Sequence, residues 1–373
     1  MKILLTFFYF LFVTFSVTAQ NNSDYAEIDR IALNIPESQC NSTGDIAKYV
    51  DTHFKTDTKK VRAIYVWVIS HLNYSKDSLH RIILNENKDE LVSITMRRRK
   101  GVCENFAVVF NDICRKSNLR SFVVDGYTMQ AGSVNKSSHA WCAVFIDNNW
   151  ALYDPTWDAS SAKGFSDLAD THYFQVSPAF FIQTHMPFDP MFQLLDYPFT
   201  YKEFNAGYTQ SRNNKNYFNY VDSINRYELL DPFSAYSSAA SRIKNNGPLN
   251  DMINTKLSQL KMEIEIINQD KDSVFYNGAI ADYNAAVSIF NNFLNYRNNQ
   301  FKPVKTGQNL ESMFNNITKL VASARIKLVE VNNSKATLTL NTGDIQFALD
   351  NLSAHVKEQQ TFLKNYLATA KQN

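Results

Sequence analysis

The stretch SSHAWCAVFIDNNWALYDPTWD, Ser137 to Asp158, decides how the first half of this chain folds. It reads as two short strands, HAWCAVFID and WALYDP, around Asp147-Asn148, two residues that tolerate the positive φ of a tight hairpin turn. With those two at the centre of the turn, position 146 faces 149 and paired positions sum to 295. Asp154 then falls opposite Trp141, and His139 becomes its diagonal neighbour on the same face of the pleat. Such neighbours have Cα atoms about 7–8 Å apart, within reach of two polar side chains leaning together. Asp154 can therefore hold one nitrogen of the His139 ring and leave the other free, which is what a base needs when it activates a nucleophile. Alternation places Cys142 on the opposite face from His139 and Trp141, as a core thiol.

The nucleophile comes from upstream. Gly101-Val102-Cys103 stands where the chain enters a helix, CENFAVVFNDIC. A thiol in the first turn of a helix meets the positive end of the macrodipole and unpaired backbone N–H groups, which favours the thiolate. Phe106, Val109, Phe110 and Ile113 share one face of that helix, so packing along the rod fixes the thiol end. AKYVDTHF and KKVRAIYVWVISHLNY read as further helices and SFVVDGYTM as a strand. Helices followed by a strand meander make an α+β arrangement, not a repeated βαβ pattern.

These residues resemble the transglutaminase-like superfamily, which shares a papain-like core. A G-x-C helix start, a His-Ala-Trp strand and an Asp-Pro-Thr strand end occur here in that order, in GVCENFAVVFNDIC and HAWCAVFIDNNWALYDPTWD. The later segment THYFQVSPAFFIQTHMPFDPMFQLLDYPFTYKEF is similar to kyphoscoliosis-peptidase-like members, so the resemblance spans roughly residues 25–205. It implies Cys103 as nucleophile, His139 as general base and acid, and Asp154 as the orienting residue. It also implies an acyl-enzyme formed from an amide or ester and resolved by water or an amine. The chain departs from the pattern at Asn105-Phe106, bulkier than the Gly-Tyr often found there, which bears on the shape of the cleft.

The rest of the sequence sets the context. MKILLTFFYFLFVTFSVTAQ has an early lysine, an apolar run and small residues ending at Ala19, the layout of a signal peptide cut after residue 19. The protein is accordingly expected to be exported, periplasmic or secreted, with no stable membrane insertion. Its 38 basic and 36 acidic residues give a formal charge of +2, which argues against nucleic acid as a partner. Arg97-Arg98-Arg99-Lys100 reads as a solvated face. Cys103 and Cys114 lie about 16 Å apart along one helix, too far for a disulfide, whose Cα atoms approach within about 7 Å. Cys40 and Cys114 read as structural, with a disulfide left open for Cys40. His172, His185 and Asp189 are too sparsely placed for a metal site, so neither metal nor cofactor is expected.

All four tryptophans and all four cysteines precede residue 190. The Asn-rich SRNNKN suggests a connector, and three parts follow: a signal peptide over 1–19, the transglutaminase-like domain over 20–205 and an all-α helical bundle over 206–373. Bundle stripes are read at Met252 or Ile253, Leu257, Leu260, Ile264 and Ile267, at Tyr276, Ile280, Tyr283, Val287, Phe290, Leu294, Arg297 and Phe301, at Phe314, Ile317, Leu320, Val321 and Ala324, and at Ile345, Leu349, Leu352, Val356, Leu363 and Leu367. Two functions fit this organisation. One is an exported thiol acyl-transfer enzyme, a cysteine peptidase or transglutaminase acting on protein or peptide amides, with the bundle offering a surface to a protein partner. The alternative is a catalytically silent envelope interaction protein that keeps the fold.

Overall fold

The computed structural model describes residues 23–75, 88–161, 171–209, 216–334 and 340–370. The signal-peptide reading and most of the Asn-rich connector lie outside these. The chain divides into two compact units, Met1–Leu229 with Ser241–Lys256, and Leu230–Ala240 with Leu257–Asn373. The expected division after residue 205 falls inside the first unit.

The first unit opens with three helices, α1 (Ser23–Leu33), α2 (Thr43–His53) and α3 (Asp57–His71). Val61 through Ile69 are all buried, so α3 has no solvent face and serves as the central rod. The strand β1 (Asn73–Tyr74), the helix α4 (Lys88–Arg98) and the strand β2 (Lys100–Gly101) follow, β1 and β2 pairing in parallel. They lead into α5 (Cys103–Lys116). The strands β3 (Arg120–Gln130), β4 (Ser133–Ile146) and β5 (Asn149–Tyr153) form a meander, and β6 (His185–Pro187) closes a four-stranded antiparallel sheet of order β5-β4-β3-β6.

The hairpin register is the one the turn residues dictate. Ile146 pairs with Asn149 and Cys142 with Tyr153, and Asp147 and Asn148 take φ of 48° and 62°. Alternation then sorts the core. Ala140, Cys142, Val144 and Ile146 pack with α3 and α5, around Phe106 and Phe110. Trp141 and Ala143 pack on the other side with Val124, Phe181, Met191 and Ile224. Burial of each large apolar side chain contributes about 1.5–3 kcal/mol. Ile224 belongs to α9 (Tyr220–Tyr227), which follows the short helices α6 (Pro155–Ser161), α7 (Pro178–Phe181) and α8 (Tyr201–Asn205). That packing is why the first unit runs past residue 205.

One residue of the run read as a solvated face is placed differently. Arg99 stacks over Trp67 at 4.7 Å and donates to the Cys40 carbonyl at 2.7 Å, while Arg97 and Arg98 remain exposed. Arg62 is 2 % exposed inside α3. Its guanidinium makes a two-pronged pair with Asp29 at 2.7 and 2.6 Å, donates to Thr171 at 2.6 Å, and lies between the Tyr25 and Phe174 rings. Arg62→Ala is expected to cost about 3–5 kcal/mol in urea unfolding, because it strands the Asp29 carboxylate. The double change Arg62→Met with Asp29→Leu should recover most of that loss, since it removes both charges at once. All four cysteines are free thiols, with Cys40, Cys114 and Cys142 buried; no disulfide holds Cys40.

The second unit is helical. After α10 (Pro232–Asn245), α11 (Asp251–Asn298) is one unbroken helix that carries both stripes read between Met252 and Arg297. α12 (Gly307–Asn333) and α13 (Thr342–Ala370) complete it. On α12 the buried residues Leu310, Phe314, Ile317, Val321, Ala324, Leu328 and Val331 alternate steps of four and three, the helical period. On α11 the most buried line is Ala279, Ala286, Phe290, Phe293 and Tyr296. It shares Phe290 with the expected stripe, whose Tyr276, Tyr283, Val287 and Leu294 pack partly buried beside it. No helix among the described residues is long and apolar enough to cross a membrane.

Candidate active site

Cys103 is the first residue of α5, half-buried, and its position is set by what surrounds the preceding turn. β1 and β2 clamp the approach: Asn73 N–H donates to the Arg99 carbonyl and Ser75 N–H to the Gly101 carbonyl, both at 2.9 Å. Asn105 caps the helix. Its Oδ1 accepts from Val102 N–H at 2.9 Å and its Nδ2 donates to Thr95 Oγ1 at 2.7 Å. A Cβ at position 101 would sit 2.3 Å from the Asn105 Cβ, so glycine there is a condition of the cap. The bulk of Asn105, which sets this chain apart from the usual family pattern, is thus taken up in the cap.

His139 and Asp154 meet as the register requires. His139 Nε2 lies 2.7 Å from Asp154 Oδ2. That leaves Nδ1 to face the neighbouring Cys103 thiol, whose proximity favours the protonated ring. Asp154 has a second task. Its Oδ1 accepts from Thr156 N–H at 2.9 Å and Trp157 N–H at 3.2 Å, making it the N-cap of α6 with Pro155 in the first helical position. The Asp-Pro-Thr sequence is therefore a helix start, and the cap fixes the carboxylate that faces His139.

The site contains one residue that sequence reading left out. His185 Nε2 lies 3.2 Å from the same Asp154 Oδ2, with its side chain fully buried. Gly126 makes this approach feasible: a Cβ there would sit 2.1 Å from the Met186 carbonyl oxygen and 2.5 Å from Trp141. Bare backbone at position 126 lets β6 close onto β3 and carry His185 inward. The other two residues weighed as metal ligands with His185 go elsewhere. Asp189 is paired with Arg242 at 2.6 Å, and the His172 backbone N–H donates to Asp158.

By composition, His139, Asp154 and His185 could hold a metal ion, since their donor atoms all lie within 4.8 Å of one another. The chemistry of the set does not fit one. Both ring nitrogens stand at hydrogen-bonding distance from a single oxygen, so each must carry its proton toward that oxygen. A cation would have to displace both protons from a carboxylate already satisfied by four donors.

Electrostatics follows from the contacts. Burial works against a charged His139, but the Asp154 charge and hydrogen bond, with the Cys103 contact, outweigh it and push the ring up to about 10. Burial opposes ionisation of Asp154 too, yet its two histidine partners hold the carboxyl well below the usual range. Burial dominates at His185 and lowers it to about 4, so that ring is neutral at ordinary pH.

These shifts define a stability profile. Below pH 6.5 the unfolded chain protonates residue 185, while the folded chain does so only near 4, so stability is lost as the pH falls across that window. His139 works in the other direction. Its contribution is complete below 6.5 and is lost as the pH rises toward 10. Asp154 adds stability above 3.8 that disappears in stronger acid. Melting of the protein is expected to peak between about pH 6 and 7. His139→Gln should flatten the alkaline side and His185→Gln the acid side; an unchanged profile in both variants would contradict these assignments.

A separate cleft of about 800 Å³ is lined by Cys40, Thr43, Arg97, Arg99, Asp112 and Lys116. Asp112 and Lys116 sit nine and thirteen residues along α5 from Cys103, roughly 14–20 Å at the helical rise. Those two lining residues are remote from the thiol.

A thiol at a helix start, an imidazole on a strand and a carboxylate on the next strand together define a papain-like α+β core. Residues 44–155, which contain all three, match the transglutaminase-like superfamily and form a transglutaminase-like domain. The chain is similar to human kyphoscoliosis peptidase, 31% identical over 163 residues, covering 40% of this chain and 24% of that protein. It is also similar to hillarin of Drosophila melanogaster, 24% identical over 203 residues, 48% of this chain and 24% of the other. It thus spans about a quarter of the length of these curated relatives. Among solved structures, a putative cysteine protease from Cytophaga hutchinsonii matches with a TM-score of 0.25 and 21% identity, over 35% of this chain and 42% of that one.

Proposed function

We propose that this protein is an exported thiol acyl-transfer enzyme that acts on amide bonds of proteins or peptides. The observation that carries the reading is the His139 ring paired with the Asp154 carboxylate at 2.7 Å beside Cys103, the first residue of α5. Cys103 sulfur attacks the amide carbonyl carbon, a C–S bond forms, and the carbonyl electrons move onto oxygen. The N-terminal end of α5 favours that negative charge. His139 then gives its proton to the leaving nitrogen, the C–N bond breaks and a thioester remains. Water, losing a proton to His139, releases the acid and restores the thiol; an amine arriving instead gives cross-linking. Similarity to a protein named as a peptidase supports the hydrolytic branch. Export rests on residues 1–19, and protein recovered from its native cell envelope should begin at Gln20.

The test is to trap the acyl-enzyme. The full mature chain is incubated with a peptide library, with and without a primary amine, and quenched in acid. A mass increment confined to Cys103 and absent in Cys103→Ser supports the enzyme. A chain that never acylates, yet captures a partner unchanged in Cys103→Ser, is the silent interaction protein.

A further inference from the structure

His185 is placed for a task that the Cys103, His139 and Asp154 roles leave unassigned. It lies 31 residues beyond Asp154, on the three-residue edge strand β6, with its side chain fully buried. Four aromatic rings surround it. Phe181 stacks at 4.0 Å, and Trp157, Trp141 and Tyr173 stand at 4.3, 5.2 and 5.6 Å. Its side-chain polar contacts are Thr184 Oγ1, 2.8 Å from Nδ1, and Asp154 Oδ2, 3.2 Å from Nε2.

These contacts fix the ring's tautomer. Asp154 is an ionised acceptor, so His185 Nε2 must carry the proton. A neutral ring then has Nδ1 as an acceptor, and the Thr184 hydroxyl donates to it. Burial keeps the ring neutral. Thr184 Oγ1 stands 2.8 Å from Nδ1 and 3.4 Å from the Phe181 carbonyl oxygen, so Nδ1 is its nearer acceptor.

Resting on the catalytic reading above, we propose that His185 is a positioning residue. By donating to the oxygen that also receives His139, it fixes the rotation of Asp154 and hence the presentation of the His139 ring to Cys103. Oδ1 is pinned by two backbone N–H groups and Oδ2 by two rings. Without His185, Oδ2 keeps a single partner beside a cavity the size of an imidazole. Hydrogen-bond partners of this indirect kind typically change function by about 10–100-fold when removed.

The experiment uses the full mature chain with ¹⁵N-labelled histidine. In the wild type, His185 should be the neutral Nε2–H tautomer from about pH 5 to 9, and His139 should give a slowly exchanging downfield Nε2–H signal. In His185→Phe that His139 signal should shift or broaden, and iodoacetamide labelling of Cys103 should slow about tenfold. His185→Gln, whose amide can donate to the same oxygen, should recover most of both. A folded His185→Phe with unchanged His139 signal and labelling rate overturns the proposal. If neither variant folds, the wild-type ring decides, and an Nδ1–H tautomer or a charged ring overturns it. Slow wild-type labelling with the ring signals as described supports the positioning role and defeats the catalytic reading instead.

Discussion

In the His139→Ala variant, turnover of an amide substrate is expected to fall by about ten-thousand-fold or more, with the fold retained. In the proposed mechanism the ring both partners the thiol and delivers the proton to the leaving nitrogen, so its loss removes two steps together. Asp154 keeps three of its four donors in this variant, from Thr156, Trp157 and His185, so the carboxylate stays satisfied. Labelling of Cys103 at pH 7 should drop about thirtyfold, because an unassisted thiol is only a few per cent ionised there. Comparison of melting curves with and without the ring checks that the loss is chemical.

Asp154→Asn is expected to lower turnover by about ten-thousand-fold as well, and here stability should fall too. Every contact to the Asp154 carboxylate comes from a donor: two backbone N–H groups on Oδ1 and two imidazole N–H groups on Oδ2. An amide offers one oxygen. If that oxygen stays on the α6 cap, its NH₂ group faces His139 and forces the ring into the tautomer that cannot accept the thiol proton. If it turns to His139, the cap loses its acceptor. Either way a buried donor goes unsatisfied, at a cost of about 1–3 kcal/mol. A calorimetric scan beside a turnover assay reads both effects. Full activity in Asp154→Asn would show that the carboxylate charge does not orient the ring.

What could be read from the sequence was local or followed from local geometry. Asp147-Asn148 dictates the turn, the turn dictates the register, and the register brings His139 to Asp154. Cys103 follows from Gly101-x-Cys before an apolar helix. Arg62 was also open to reading, because a guanidinium within VRAIYVWVI needs a buried partner; the partner, Asp29, could not be named, since nothing local pairs α1 with α3. His185 was missed for a related reason. Its strand is three residues long, pairs with β3 although β4, β5, α6 and α7 intervene in the chain, and depends on Gly126, whose significance appears only when β6 lies against it. α9 reads by composition like the helical half, yet Ile224 packs with the sheet residues Val124 and Trp141, a contact that no local pattern announces.

The most direct measurement is the rate and stoichiometry of iodoacetamide labelling of the folded chain at pH 7, resolved by mass spectrometry for each cysteine. Cys40, Cys114 and Cys142 are no more than 2% exposed and should remain unlabelled. One rapid label on Cys103, slowed about thirtyfold by His139→Ala, is the result expected of a thiol activated by its neighbouring ring. Equal labelling rates with and without His139 would contradict it.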